Sequence, residues 1–263
     1  MAMANFDTYV SRRSRLHSWT PRLKLVSLGL LMFAFAAVRH LPLVLPMLGL
    51  TAVLYFLSEL PFSFLLKRLR YPGLFILMVV LILPFSSGET VLWQWRALAL
   101  RQEGIENMGL IVGRFLSILT LGFVLLGTTP FVTLLQALRS LGLPNLIADM
   151  TLLTYRYLFE TAEMLSTMQR SMRLRGLGQR QRWFRLQQQD LQRLAGLVGT
   201  LLIRSYERSE RVYKAMQLRG YGQLKRPVVK APVDSNSVLL TGFCTIAALS
   251  FVIAEFSLPS PNL

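Results

Sequence analysis

The chain has 263 residues, of which 53% are hydrophobic, and it carries a formal net charge of +16 and a mean hydropathy of +0.45. These values exclude an ordinary soluble domain, because the chain is both too apolar and too basic for that class. The single cysteine, Cys244, excludes an intrachain disulfide, and two histidines are too few for a histidine-rich metal site.

Residues 1–24 form a basic segment that we predict to remain in the cytoplasm. Its basic residues are Arg12, Arg13, Arg15, Arg22 and Lys24. Trp19 lies where an interfacial anchor is expected. Two uncharged runs follow, residues 25–38 and 41–58, and they favour a tight helical hairpin across the membrane. The Ala-Phe-Ala triplet at 34–36 resembles a signal-peptidase site, but the long basic segment and the later apolar runs favour an uncleaved span.

A third apolar run, residues 71–86, is expected to cross the membrane outward. Before it, residues 59–70 return the chain to the cytoplasmic side and contain Lys67, Arg68 and Arg70. After it, residues 87–107 carry mixed charges and include Trp93 and Trp95. This composition is typical of an external loop with an aromatic belt.

The fourth apolar run, residues 108–127, completes a predicted set of four spans within residues 25–127. Its Gly109 and Gly113 have the spacing that lets two membrane helices approach closely. Arg114 lies about six residues into the run, where a charge is costly unless it reaches the interface or is paired. Reaching the outer interface is one interpretation, and pairing with Glu255 in the last apolar run is the other.

The fifth apolar run, residues 237–256, leaves residues 257–263 as an external tail. Five spans place the amino terminus in the cytoplasm and the carboxyl terminus outside, in agreement with the distribution of charge. The predicted fold class is therefore an all-α membrane protein with about five transmembrane helices and a cytoplasmic domain of long amphipathic helices. That domain occupies residues 128–236.

Most of the basic residues fall in this cytoplasmic domain. Of the 29 Lys and Arg residues, 17 lie between Arg139 and Lys230, against seven acidic residues from Asp149 to Asp234. Nucleic-acid binding is one interpretation of such a block, but aromatic residues are not interleaved with the basic ones in a stacking pattern. Positive charge beside apolar segments more simply indicates the cytoplasmic face of a membrane protein, so we predict no nucleic-acid partner.

Three segments of this domain have features that predict their structure or surroundings. Thr128-Thr129-Pro130 predicts a helix start with a threonine cap and proline at the first position, and Gly142 and Pro144 predict its end. Residues 194–203 are uncharged but only half a span long, so we expect them to lie against the membrane interface and to pack on other helices. Residues 177–185 are basic and aromatic, which suits either lipid headgroups or an acidic protein surface.

Acidic and basic residues four positions apart predict ion pairs along two long helices. The pairs are Arg156 with Glu160, Glu207 with Arg211, and Glu210 with Lys214. Glu160 and Glu163 have the spacing of half a carboxylate metal site, but no Glu-x-x-His sequence accompanies them. Salt bridging is the better explanation, so we predict no metal site.

The two long helices end in the same short pattern. Residues 172–176 read Met-Arg-Leu-Arg-Gly, and residues 216–220, 44 positions later, read Met-Gln-Leu-Arg-Gly. Glycine after the last periodic residue predicts a helix C-cap, and arginine in the last turn complements the helix dipole. Two well-capped helices are one interpretation. However, Lys or His would serve the dipole equally well, whereas a guanidinium offers a planar fork of donors for a carboxylate on another surface. The repeat therefore also suits a docking device.

Several motifs together resemble the transmembrane T component of energy-coupling factor (ECF) ABC importers, the EcfT/CbiQ family. They are Thr-Thr-Pro at 128–130, Leu-Arg-x-Leu-Gly-Leu-Pro at 138–144, Tyr-Arg-Tyr at 155–157, and the paired x-Arg-Gly helix ends. The cobalt-transport branch is resembled more specifically at the amino terminus. The matching residues there are Asp7, Tyr9, Ser14, Leu16, His17, Pro21 and Lys24.

The resemblance implies how the helix ends are used. In that family they carry Ala-Arg-Gly, and each arginine docks into a groove of one of two cytoplasmic ATPase subunits. The matching ATPase-docking residues here are Leu174, Arg175, Gly176, Leu218, Arg219 and Gly220. Leucine in place of alanine leaves the role of the arginines intact, but it needs more room in each groove.

The resemblance further implies a coupling scaffold in the inner, or plasma, membrane of a prokaryote. ATP-driven movement of the two ATPase subunits would pass through these coupling helices to a separate membrane substrate-binding (S-type) subunit. The imported substrate would be cobalt or another transition metal ion; a shared T component of a vitamin importer and a stand-alone membrane carrier are the alternatives. Walker, nucleophile-elbow and Ser/His/Asp patterns are absent from the sequence, so we predict no catalytic residue and no cofactor.

Overall fold

The computed structural model describes residues 14, 16–86, 91–95, 98–175, 188–222 and 235–257. Its helices are α1 (Pro21–Ala37), α2 (Val44–Ser58), α3 (Phe62–Ser86), α4 (Gln102–Thr128), α5 (Phe131–Ser140), α6 (Asn145–Leu174), α7 (Gln188–Leu218) and α8 (Ser235–Ser257). A single 3-10 turn, Leu41–Leu43, precedes α2 among the described residues. The predicted all-α class is confirmed.

A short hairpin departs from the expected external loop. Strands β1 (Val91–Trp95) and β2 (Leu98–Arg101) pair antiparallel, and α4 then begins at Gln102, before the predicted start of the fourth span at Met108. The sequence Val-Leu-Trp-Gln-Trp of β1 is rich in residues that favour strands, a signal that the aromatic-belt interpretation passed over.

The chain divides into two units, and the larger one is a membrane unit. The first unit comprises Met1–Gly142 and Lys230–Leu263, and the second comprises Leu143–Val229. Three helical segments among the described residues are long and apolar enough to cross a membrane: Leu41–Ser58, Asn107–Thr128 and Ser235–Ser257. Their mean hydropathies are 2.0, 2.1 and 2.2. The chain is therefore a membrane protein, and the five-span topology stays a prediction.

Helix α1 lies at the centre of the first unit and contacts α4, α5 and α8. Its buried face carries Leu28, Leu31 and Phe35, each 0% exposed. The ring of Phe35 meets that of Phe251 on α8 edge to face, with centroids 5.1 Å apart. Apolar packing of this kind holds this face of α1 against its neighbours.

The predicted anchoring role of Trp19 at the membrane interface is wrong. Its side chain is only 2% exposed, and the indole N–H donates to the Thr241 hydroxyl at 3.0 Å. The next residue, Thr20, donates its backbone N–H to the Ser237 hydroxyl at 3.1 Å. The segment before α1 is therefore fastened to the start of α8 instead of lying on a lipid surface.

The predicted threonine cap of α5 is also wrong. Pro130 occupies the cap position without a side-chain cap bond, and Thr128 is the last residue of α4. The Thr128 hydroxyl donates to the Val124 carbonyl and accepts a hydrogen bond from the buried ammonium of Lys24. Lys24 also donates to the Leu16 carbonyl at 2.9 Å, so it joins the amino-terminal segment to the end of α4.

Arg114 and Glu255 are brought to the same peptide unit but not into a direct ion pair. The guanidinium of Arg114 donates to the Val38 carbonyl, and a Glu255 carboxylate oxygen accepts the Arg39 N–H at 3.0 Å. These two groups are the two ends of one peptide bond at the turn after α1. The same carboxylate lies 3.8 Å from His40, so the predicted proximity holds while the predicted direct pairing does not.

The close approach predicted at the paired glycines is confirmed at Gly113. A Cβ added there would overlap the Val44 side chain, whereas one added at Gly109 would meet Leu41 at 3.5 Å, an ordinary contact. We expect Gly113→Ala to lower the unfolding free energy by about 1–3 kcal/mol, because Val44 is stiff at χ1 and must move. Thermal unfolding in detergent measures this, and Gly109→Ala is the matched control. Equal midpoints for the two variants would contradict the packing described.

Candidate docking ends of the long helices

Helices α6 and α7 of the second unit form an antiparallel pair. The Tyr221 hydroxyl, three residues beyond α7, donates to Asp149 Oδ2 in the second turn of α6 at 3.1 Å. Further along, the Arg208 guanidinium of α7 forms an ion pair with Glu160 of α6. The carboxyl end of α7 therefore lies beside the amino end of α6.

An apolar cleft of about 600 Å³ lies between the two helices. Leu146, Met150 and Tyr157 line it from α6, and Val212 and Met216 line it from α7. The helices are thus held together by few contacts, and the polar pairs at Glu160 and Asp149 set where they meet.

The ion pairs predicted at four-residue spacing are only partly formed. Arg156 Nε lies 3.8 Å from Glu160, and Lys214 lies 2.9 Å from Glu210, which confirms these two pairs. The structure gives none between Glu207 and Arg211, although both residues are described. Glu160 instead also binds Arg208 across the pair, which supports the salt-bridge interpretation of that residue. Among the described residues no group of three His, Cys, Asp or Glu could hold a metal ion.

The cross-helix pair of Glu160 and Arg208 is expected to contribute little to stability. Its side chains are 39% and 36% exposed, and the Arg208 guanidinium carbon lies 5.8 Å from the Tyr157 ring centroid. We expect a coupling free energy of about 0.2–1 kcal/mol in a double-mutant cycle of Glu160→Gln and Arg208→Gln, followed by thermal unfolding. Arg211→Gln in place of Arg208→Gln is the control. Strict additivity of the first two changes would refute the pair.

The first docking end is the last turn of α6. The N–H of Arg175 donates to the carbonyls of Ser171 at 3.2 Å and Met172 at 3.1 Å, and its side chain is exposed. Arg175 is thus the C-cap residue, with backbone angles of −85° and 12°. Gly176 lies outside the described residues, so its predicted cap conformation stays a prediction.

The second docking end repeats this arrangement. The N–H of Arg219 donates to the carbonyls of Ala215 and Met216, both at 3.2 Å, at the same offsets as in the first end. Beyond it, Gly220 donates to Gln217 at 2.9 Å and Tyr221 donates to Met216 at 3.0 Å. Gly220 has a φ of +70°, which glycine adopts without the cost of a Cβ. This is the Schellman helix end, and it confirms the predicted glycine cap.

Both arginines follow an exposed leucine. Leu174 is 88% exposed and Leu218 is 90% exposed, the largest values among the big apolar side chains that the structure describes. Each end therefore presents a guanidinium fork beside an apolar side chain. Such a pair is suited to a carboxylate next to an apolar pocket on another protein.

The two ends point to opposite extremities of the helix pair. Tyr221 fixes the Arg219 end beside Asp149, while Arg175 stands 26 residues further along α6. At about 1.5 Å per residue the two arginines are roughly 40 Å apart. Two equal ends at that distance fit two similar partner surfaces better than one.

Two contributors to this geometry escaped the sequence analysis. Arg208 and Asp149 each act across the helix pair, on residues 48 and 72 positions away. No spacing along one helix indicates such partners. Of the residues in these contacts, Tyr221 alone is marked in the sequence: it interrupts the repeat, because the equivalent position of the first copy, 44 residues earlier, is Leu177.

Comparison with known proteins gives a consistent set of relatives. The model of the CbiQ family, cobalt transport protein, matches residues 12–229, a range that contains both long helices. The energy-coupling factor transporter transmembrane protein EcfT of Limosilactobacillus fermentum is 29% identical over 230 residues, covering 82% of this chain and 83% of the relative. The EcfT of Ruminiclostridium cellulolyticum is 31% identical over 138 residues, 52% of this chain and 51% of the relative. Cobalt transport protein CbiQ of Rhodobacter capsulatus is 32% identical over 113 residues, 43% of each chain.

Proposed function

Since the chain belongs to the EcfT/CbiQ family, the transmembrane components of energy-coupling factor transporters, we propose that it is the coupling subunit of an ABC importer. Two cytoplasmic ATPase subunits dock at its two arginine ends. Their ATP-driven movement passes through α6 and α7 to a separate membrane subunit that binds the substrate.

The observation that carries this proposal is the matched pair of helix ends. Arg175 and Arg219 have the same cap bonds, the same exposed leucine before them and opposite positions on the helix pair. Capping a helix requires the backbone hydrogen bonds but neither an exposed leucine nor a second, matching helix end. Two equivalent sites roughly 40 Å apart suit a pair of similar subunits that move relative to each other.

ATP chemistry is assigned to the partners in this proposal. A non-catalytic subunit has no need of a phosphate-binding loop, and the sequence contains no Walker pattern. The described residues bring together no group of three metal-ligating side chains either. The role proposed for this chain is mechanical: it receives force at the two ends and transmits it through its helices.

Cobalt or another transition metal ion is the substrate we propose. The family model is described as cobalt transport protein, and the Rhodobacter capsulatus relative carries the same description. A shared component of a vitamin importer is the alternative, because the relatives named EcfT are described without a substrate. We place the chain in the prokaryotic plasma membrane with a cytoplasmic amino terminus, which the basic residues 12–24 favour.

Affinity purification from native membranes tests the proposal. We expect two ATPase subunits and a small membrane subunit to co-purify with the tagged chain. We also expect liposomes that contain the complex to transport radioactive cobalt only when ATP is present on the side of the membrane where the ATPase subunits lie. Uptake of a vitamin instead of cobalt would support the alternative substrate. Cobalt uptake by the purified chain alone would contradict the coupling role and indicate a stand-alone carrier.

A further inference from the structure

The two docking ends differ in one contact that lies just beyond the second arginine. Because Gly220 turns the chain in the left-handed conformation, Tyr221 folds back against the helix pair, with its N–H on the Met216 carbonyl. Its hydroxyl then reaches Asp149 Oδ2 at 3.1 Å. A hydrogen bond to an ionised carboxylate is among the stronger ones in proteins.

The acceptor is placed where it holds the start of α6. Asp149 is the fifth residue of that helix and lies in its second turn. Ala148 beside it is only 1% exposed, whereas Leu146, Ile147 and Met150 around it are 60%, 51% and 44% exposed, so one side chain of this turn is buried. The bond to Tyr221 therefore joins the Arg219 end of α7 to the second turn of the other helix.

The residue at the equivalent position of the first end differs. The position equivalent to Tyr221 is Leu177, and leucine has no hydroxyl. Arg175 is moreover at the opposite end of α6 from Asp149. The two copies of the repeat are thus nearly identical around the arginines, but they differ at position 221, where Tyr221 binds Asp149.

We propose that Tyr221 is a positioning residue that ties the Arg219 end to the start of α6, so that the two docking ends are mechanically unequal. This inference rests on the proposed function. The Arg219 end is preorganised for its ATPase subunit and passes movement directly to the start of α6. The Arg175 end lies 26 residues from Asp149 and acts on the same point through that length of α6, about 40 Å.

Matched photo-cross-linking distinguishes the two ends. A photo-reactive amino acid is placed at Arg173 or at Gln217, both exposed and two residues before the respective arginine, in the complex purified with its partners. In Tyr221→Phe we expect the cross-link from position 217 to the ATPase subunit to fall about fivefold, because a preorganised end loses its constraint. The cross-link from position 173 should stay unchanged. Tyr213→Phe, which alters another tyrosine of α7, should change neither.

Further variants tie the effect to the bond itself. Asp149→Ala should repeat the result of Tyr221→Phe, and the double variant should be no worse than either, because both variants remove the same hydrogen bond between Tyr221 and Asp149. Equal losses at positions 173 and 217, or no loss at either, would overturn the inference while leaving the proposed function intact. If the unaltered complex gives no ATPase cross-link from either position, the proposed function itself fails.

Discussion

Replacing both Arg175 and Arg219 with alanine is expected to abolish ATP-driven uptake and the co-purification of ATPase subunits. Each exposed guanidinium is placed to make charge-assisted hydrogen bonds with a partner, which contribute about 1.5–3 kcal/mol each. Loss of one such contact weakens binding about 10- to 100-fold at that end, and both ends are lost together. The chain itself should still insert, because the two side chains contribute only dipole interactions of about 0.3–1 kcal/mol to their own helices.

Arginine-to-lysine variants separate docking from simple capping. Lysine keeps the positive charge at the helix end but not the planar fork of donors. We expect Arg175→Lys and Arg219→Lys to preserve thermal stability and to lose much of the ATPase binding. Arg173→Ala is the matched control, since Arg173 lies in the same last turn and is also exposed to solvent. Full ATPase binding in the two lysine variants would favour the capping interpretation instead.

Replacing the two exposed leucines is expected to have the next largest effect. Leu174 and Leu218 are 88% and 90% exposed, so nearly the whole of each side chain is available for burial in a partner. Burying a leucine side chain contributes about 1.5–3 kcal/mol. Leu174→Ser with Leu218→Ser should therefore weaken ATPase binding about 10- to 100-fold at each end, measured by co-purification under increasing wash stringency.

The leucine experiment has a control on the same helix. Leu158 is 51% exposed and lies between the two ends on α6, nine positions after Asp149 and 17 before Arg175, so Leu158→Ser should leave ATPase binding unchanged. If this control loses as much ATPase binding as the double variant, then any polar substitution on the surface of α6 weakens binding, and the two leucines have no specific role. Unchanged binding in the double variant would show that the arginines dock without apolar anchors.

Features set by neighbours along the chain could be predicted from the sequence. The glycine cap at Gly220 follows from its place after the last periodic residue, and the Arg156–Glu160 pair follows from one helical turn. The tight packing at Gly113 follows from the spacing of small residues, although this spacing does not identify Val44 as the partner. The cap and the ion pair depend on the geometry of a single helix, whereas the spacing of small residues predicts a close approach but not the helix that makes it.

Features that join distant parts of the chain could not be predicted in this way. Lys24 reaches Thr128 across 104 positions, and Tyr221 reaches Asp149 across 72. Periodicity gives the face that a helix buries, but not the register or crossing angle at which another helix meets it. The same limitation explains Trp19, whose amphipathic ring suits a membrane interface and an interior hydrogen bond equally well.

Photo-cross-linking from Arg173 and Gln217 in the intact complex tests the docking role of the two helix ends most directly. We expect both positions, one near each docking arginine, to give covalent adducts with nucleotide-hydrolysing subunits, and we expect Arg175→Ala or Arg219→Ala to remove the adduct at its own end. Adducts with lipid only, or with the substrate-binding membrane subunit only, would contradict it.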